Sequence, residues 1–350
     1  MTIELQTSPE RAPACQVKPA QFDRRALLVG AGAVTAGALA FPLVRDALTT
    51  PRPVFLARHQ RYDGPLVQSI RDGLLAVGFD PATIRGRLVL LKPNLVEPSK
   101  ARPHMTTHPA VVVAAADVFR RWGALVTVGE APGHVRDSQM ALFESGLGEA
   151  LDSERLEFAD LNYDDLAWTD NAGRASPLSK ICFPRSVAEA DLVVSLPKLK
   201  THHWVGMTAA MKNMYGVLPG IVYGWPKNVL HHAGIPQTVV DINASLPKTI
   251  AIVDAIDCME GDGPILGSPK SLGVIAIGLN PTAVDATCAR MIGLEPRRIS
   301  YLKLARRLGP LDARHIPQRG ESWESVASPF QILDVPHLQE LRVQQSVKVT

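Results

Sequence analysis

Short apolar runs rich in Val, Ile and Leu recur along the chain at 54–57, 88–91, 125–128, 192–196, 250–253 and 274–277, each bounded by Gly, Pro, Asp or Lys. Runs this short, with little polar alternation, read as strands buried on both faces, as in a parallel sheet. Between them, apolar positions take helical spacing over 66–77, 110–122, 138–147, 238–245 and 281–292. The last of these opens with Asn280-Pro281, a capping residue followed by proline at the first helical position. Strands alternating with helices predict an α/β fold, with a mostly parallel sheet flanked by helices and two lobes sharing a cleft. The polar stretch 162–184, interrupted by Asp164, Asp165, Asp170, Asn171 and Gly173, reads either as the connection between lobes or as an insertion. A main domain is expected over 51–300. The segment 301–350, with basic helical patterns at Lys303, Arg306 and Arg307, is expected at its periphery.

The first 50 residues fall outside that alternation. Asp23-Arg24-Arg25 precedes an uncharged, Ala- and Gly-rich run from Ala26 to Val44, and Ala38-Leu39-Ala40 offers a small-x-small cleavage site. Paired arginines before a weakly apolar run form the address read by the twin-arginine exporter, which carries folded cargo. The expectation is therefore periplasmic or extracellular, with an uncleaved membrane anchor as the alternative, since about 20 apolar residues suffice to span a bilayer. Gly30-Ala31-Gly32 is superficially like a dinucleotide fingerprint but belongs to this segment and follows no strand.

Composition excludes some partners and chemistries. With 350 residues the chain can bury a sizeable core. A net charge of +3 and only 5% aromatic residues argue against nucleic acid, whose binders carry basic stripes interleaved with aromatics. Cys15 lies in the export segment, which leaves Cys182, Cys258 and Cys288 without a C-x-x-C pair. No iron–sulfur cluster held by this chain alone is expected, whereas one disulfide plus a buried thiol fits the spacing. Phosphate-loop, nucleophile-elbow and kinase motifs are missing.

In open α/β sheets, ligands bind beyond the carboxyl ends of the strands. Polar groups collect there after four of the apolar runs, beginning at Lys92-Pro93-Asn94, Gly129-Glu130, Pro197-Lys198-Leu199-Lys200-Thr201-His202-His203 and Asp254. Those blocks carry a resemblance when joined with Thr106-Thr107-His108-Pro109, Met211-Lys212-Asn213-Met214-Tyr215-Gly216, Met259-Glu260-Gly261-Asp262-Gly263-Pro264 and Ala283-Val284-Asp285-Ala286. Collinear from about 88 to 293, they resemble the bacterial and archaeal family called domain of unknown function 362. The resemblance implies a fold and a site but no settled reaction. Members often carry a ferredoxin-type iron–sulfur module, whose cysteines are missing here, so electron transfer is not implied for this chain.

Each candidate has a functional and a plainer reading. Lys198 and Lys200 share a side if the strand continues and would make a cationic pocket for a carboxylate or phosphate, or else a solvated strand end. Lys92 and Lys212 would add cations, and Asn94 and Asn213 would orient the anion, unless they are structural. His202, Asp254 and Glu260 are candidates to handle protons. His202 with His231 or His232 and a carboxylate would alternatively hold a divalent metal, the plainer reading being capping or surface histidines. Gly261 and Gly263 could let backbone approach an anion or merely form a turn. Asp285 is expected to act on a helix dipole. The sequence thus suggests an enzyme for a small anionic molecule. A solute-binding or accessory protein for an exported redox partner is the alternative.

Overall fold

Every apolar run of the sequence is a strand in the computed structural model, which describes residues 50–343. The export address and its cleavage site lie outside the described residues. The strands are β1 (Val54–Ala57), β2 (Leu88–Lys92), β3 (Leu125–Glu130), β4 (Glu157–Asp160), β5 (Leu166–Asp170), β6 (Lys180–Pro184), β7 (Leu192–Ser195), β8 (Lys198–His202), β9 (Gly206–Thr208), β10 (Thr249–Glu260), β11 (Ser268–Gly278) and β12 (Gln318–Gly320). The main sheet runs β12-β1-β11-β10-β7-β2-β3-β4, and its block from β10 to β4 is entirely parallel. β11 folds back antiparallel on β10, and β1 pairs antiparallel with β11.

Two-sided burial explains the strand composition. Along β2, Val89 and Leu91 enter one apolar cluster and Leu90 the other; along β10, Ile250 and Ile252 are divided in the same way from Ala251 and Val253. Successive side chains point to opposite faces, so a strand covered on both must be apolar throughout. Helices α1 (Leu66–Ala76) and α2 (Pro109–Arg121) cover one face. Helices α3 (Ile235–Ser245) and α4 (Pro281–Met291) cover the other. At α4, Asn280 Oδ1 accepts from the Ala283 amide at 2.9 Å, as the Asn-Pro start predicts.

β10 is long because it has two successive partners. Its first residues pair with β7; where β7 ends, the chain turns at Pro197 and β8 takes over, with Asp254 opposite Lys198 and Met259 opposite Lys200. This handover carries Lys198, Lys200 and His202 past the end of the parallel block, where β2 and β3 also finish.

Two expectations differ from the structure. The described residues fall within one compact unit rather than two lobes. The stretch 162–184, read either as a link between lobes or as an insertion, holds the β5–β6 hairpin, a separate two-stranded sheet. Its turn is pinned to α3 by the buried Asp241 carboxylate, which accepts from Asn171 Nδ2 and from the Ala175 and Ser176 amides at 2.7–2.8 Å. Gly173 is required there, because a Cβ would collide with Asp241. The segment after 300 is not peripheral either. Tyr301, Leu302, Ile316 and Phe330 are part of the core, and β12 extends the sheet beside β1. No helix among the described residues is long and apolar enough to cross a membrane.

Candidate functional site

The carboxyl ends of β2 and β3 are tied together by a buried charged knot. Lys92 Nζ lies 2.8 Å from Glu130 Oε2, with both side chains almost wholly removed from solvent. The same ammonium donates to the Asn213 backbone oxygen at 2.6 Å and to Asn213 Oδ1 at 2.9 Å. Asn213 Nδ2 returns hydrogen bonds to the Lys92 carbonyl and to Ser195 Oγ, both at 3.1 Å. Burial pushes the Lys92 pKa down and the Glu130 pKa up, each shift opposed by the other's charge. Gly216 packs directly over the pair, and a Cβ there would fall on Glu130 Oε1 and Lys92 Nζ.

Lys200 extends this network. Its ammonium donates to Asn94 Oδ1 and to the Met105 carbonyl, both at 2.8 Å, while Asn94 Nδ2 donates to Asn213 Oδ1 at 3.1 Å. Burial, followed by the charges of Lys198, Lys212 and Lys92, holds Lys200 well below the ordinary lysine range.

Above the knot is a cavity of about 140 Å³. Its lining includes Lys92, Lys200, Lys212, Lys227, Glu130, His134, His202, His203 and His231, with Tyr215 in the wall and Trp204 largely exposed at the rim. Among these residues four ammonium groups face a single carboxylate. Lys227 donates to Asn162 Oδ1 and the Leu218 carbonyl. Lys212 differs from the other three: among the described residues its ammonium makes no hydrogen bond or ion pair, and it sits 3.7 Å from the centroid of the Tyr215 ring. Burial, then the Lys92 charge, pushes Lys212 down to about 7. Lys227 also falls to about 7, through burial that the Glu130 charge only partly opposes.

Three of these histidines, His134, His202 and His231, are held neutral beside the cations. Burial first, then Lys212, depresses both His202 and His231, the latter to about 4. Burial, opposed by the Glu97 charge and aided by those of Lys212 and Lys200, lowers His134 as well. The Trp204 amide donates to His202 Nδ1 at 3.1 Å, which fixes the proton of a neutral ring on Nε2 and makes that atom a donor. The short helix bearing Lys212 and Asn213, Ala210–Asn213, is anchored from below by Asp285. Asp285 Oδ2 accepts from the Met211 amide at 3.2 Å and from Tyr301 Oη at 2.9 Å, and burial pushes this carboxyl up to about 7. Asp285 therefore acts at the start of this neighbouring helix rather than along its own.

Several residues expected at the site lie elsewhere. Lys198 is locked to Asp254 at 2.7 Å, both fully buried, and also donates to Tyr62 Oη at 2.8 Å. Asp254 further accepts from Tyr62 Oη and from the His108 and Ile256 amides, which leaves it no free role. Glu260 accepts from the Gln331 amide. The Gly261 amide donates to Gln331, its carbonyl accepts from Thr201, and the Gly263 carbonyl accepts from His203, so this loop braces β8. His232 is not in the lining. No group of three His, Cys, Asp or Glu side chains among the described residues converges to hold a metal, and Lys212 and Lys200 beside His202 would repel a cation. Cys182, Cys258 and Cys288 are buried free thiols, without the disulfide that their number would allow. Sequence reasoning gave no role to Glu130, although it ends an apolar run like Lys92 does. His134 lies in the polar segment that follows β3 but was likewise given no role, whereas Lys227 follows no strand and had no comparable signal.

Residues 89–290 match the model of a family described as Domain of unknown function (DUF362). The chain belongs to this family. Every DUF362 residue lining the cavity, from Lys92 to Ile265, falls inside the matched span. The Thylakoid-associated protein sll1697 of Synechocystis sp. (strain ATCC 27184 / PCC 6803 / Kazusa) is similar to the DUF362 chain, at 29% identity over 269 residues, covering 74% of this chain and 80% of that protein. No solved structure matches.

Replacing Lys92 by Met should destabilise the protein by about 3–5 kcal/mol, because it strands a buried carboxylate. The double replacement Lys92→Met with Glu130→Leu should recover most of that loss, as read from urea unfolding midpoints. The depressed Lys212 pKa also fixes a pH trend. An ammonium that must lose its proton at about 7 in the folded state but only near 10.5 when unfolded weakens the fold below 7, and that penalty fades as pH climbs toward 10.5. Lys212→Met should therefore be more stable than the parent at pH 6, with an advantage that shrinks steadily above pH 7 in parallel denaturation series.

Proposed function

We propose that the protein is an enzyme whose substrate is a small carboxylate- or phosphate-bearing molecule bound in the cavity above Lys92 and Glu130. The observation that supports this most is the imbalance of the lining, in which four lysines face one carboxylate. An incoming anion would relieve the mutual repulsion that lowers Lys200 and Lys212 and would give the Lys212 ammonium the acceptor it lacks. Lys92 and Lys200, already committed to Asn213, Asn94 and Met105, set the positive field. Lys212 and the Nε2 donor of His202 make the direct contacts.

Catalysis is favoured over passive binding because two lysines shifted to near neutrality, Lys212 and Lys227, line the anion site. A lysine near 7 beside neutral histidines is the kind of perturbed set that active sites collect. The repulsion that attracts an anion also disfavours metal assistance at His202 and His231. Phosphate and oxalate should each raise the unfolding temperature of the parent protein. Lys212→Met should weaken oxalate binding by about tenfold or more in calorimetry, the equivalent of one charge-assisted hydrogen bond; equal affinity in both proteins would remove the assignment.

The protein acts outside the cytoplasm on this reading, delivered folded by the twin-arginine exporter through Arg24-Arg25. The name of the Synechocystis relative associates that protein with the thylakoid. Replacing both arginines by lysine should retain the protein in the cytoplasm, measured by fractionation of a host expressing the full chain. Unaltered export would point to a different route.

A further inference from the structure

The cavity holds one amine that the network beneath it does not use. Lys92 donates to Asn213 and faces Glu130, Lys200 donates to Asn94 and Met105, and Lys227 donates to Asn162 and Leu218. Lys212 Nζ has no such partner among the described residues and rests against the Tyr215 ring. Its helix is held in place by Asn213 on one side and Asp285 below. A half-buried amine on a braced helix, facing empty space among cations, is arranged for attack rather than for holding the fold together.

We infer that Lys212 is a covalent nucleophile that forms an imine with the carbonyl carbon of an oxo acid whose carboxylate is drawn in by Lys92, Lys200 and Lys227. This deepens the anion-binding assignment above and rests on it. The chemistry balances without a further reactant. The lone pair of neutral Nζ attacks the carbonyl carbon, the C=O π pair moves to oxygen, and that oxygen takes up a proton to give a carbinolamine. Nitrogen then loses a proton, the hydroxyl takes up a second proton and leaves as water, and one C=N bond replaces one C=O bond in a protonated imine. Neutral Nζ is accessible because burial and the Lys92 charge lower its proton affinity. His134, His202 and His231 line the same cavity as Lys212 and are the candidates to pass the protons. The iminium so formed withdraws electrons from the adjacent carbon, which eases breakage of a C–H or C–C bond there. An oxo acid fits this cavity better than a neutral aldehyde, because the surrounding ammonium groups disfavour a second cation unless the ligand brings a negative charge.

The test is borohydride trapping on the full-length protein with pyruvate as the probe, read by intact mass and peptide mapping. A single reduced pyruvyl adduct is expected on Lys212, suppressed at least tenfold by excess oxalate, an anion without a comparably electrophilic carbonyl. Lys212→Arg keeps a cation in place, so it should still bind oxalate in calorimetry while giving no adduct. Adducts spread over exposed lysines, or undiminished in Lys212→Arg, overturn the inference. A parent protein that binds oxalate yet traps no pyruvate also overturns it while leaving anion binding intact. If neither oxalate nor phosphate binds and no adduct forms, the anion assignment falls as well.

Discussion

Removing lysine ammonium groups from water is the constraint around which this end of the molecule is organised. Lysine is almost never fully buried unless paired, and the desolvation penalty is several kcal/mol per ion. Here Lys92, Lys198 and Lys200 are each at most 1% exposed. The fold offsets those penalties by distinct means. Lys198 receives a carboxylate of its own, Lys92 shares one with a set of amide and carbonyl dipoles, and Lys200 receives only neutral oxygens. The compensation declines toward the cavity and ends at Lys212, which has an aromatic face alone. That gradient separates cations that hold the structure together from a cation left available to a ligand.

The gradient also bears on the choice between metal and anion. Both could be argued from histidines and carboxylates near strand ends. With the side chains in place, the carboxylates are consumed internally: Asp254 by Lys198, Glu260 by a backbone amide, and Glu130 by Lys92. What remains facing the open space is basic or neutral.

Much of this was legible in the sequence. The unalternating apolar runs located β1, β2 and β7 almost to the residue and parts of β3, β10 and β11, because two-sided burial leaves a compositional mark that needs no tertiary information. The strand-end rule brought Lys92, Asn94, Lys200 and His202 together for the same reason. It misplaced Asp254 because β10 does not stop at Val253 but continues to Glu260 along a second partner, a handover that depends on β8 and leaves no local trace. The region beyond residue 300 was mistaken for periphery because its buried residues are spread over short elements that become apolar surface only when they meet α3 and α4. Lys227 was invisible because it reaches the cavity from a loop, where neither helical nor strand periodicity assigns a direction.

The Lys92 to Asn213 contact, which spans 121 positions of sequence, has a further meaning. Lys200 reaches back 106 positions to Asn94, so the knot joins the start of the matched region to its middle. Contacts of such long sequence separation form only after the intervening chain has found its place, since loop-closure entropy must be overcome first. No fragment ending before Asn213 could contain the reactive space in rudimentary form. The cavity is an all-or-nothing product of the assembled sheet, and truncation, circular permutation or domain grafting would have to carry that whole span as an indivisible unit.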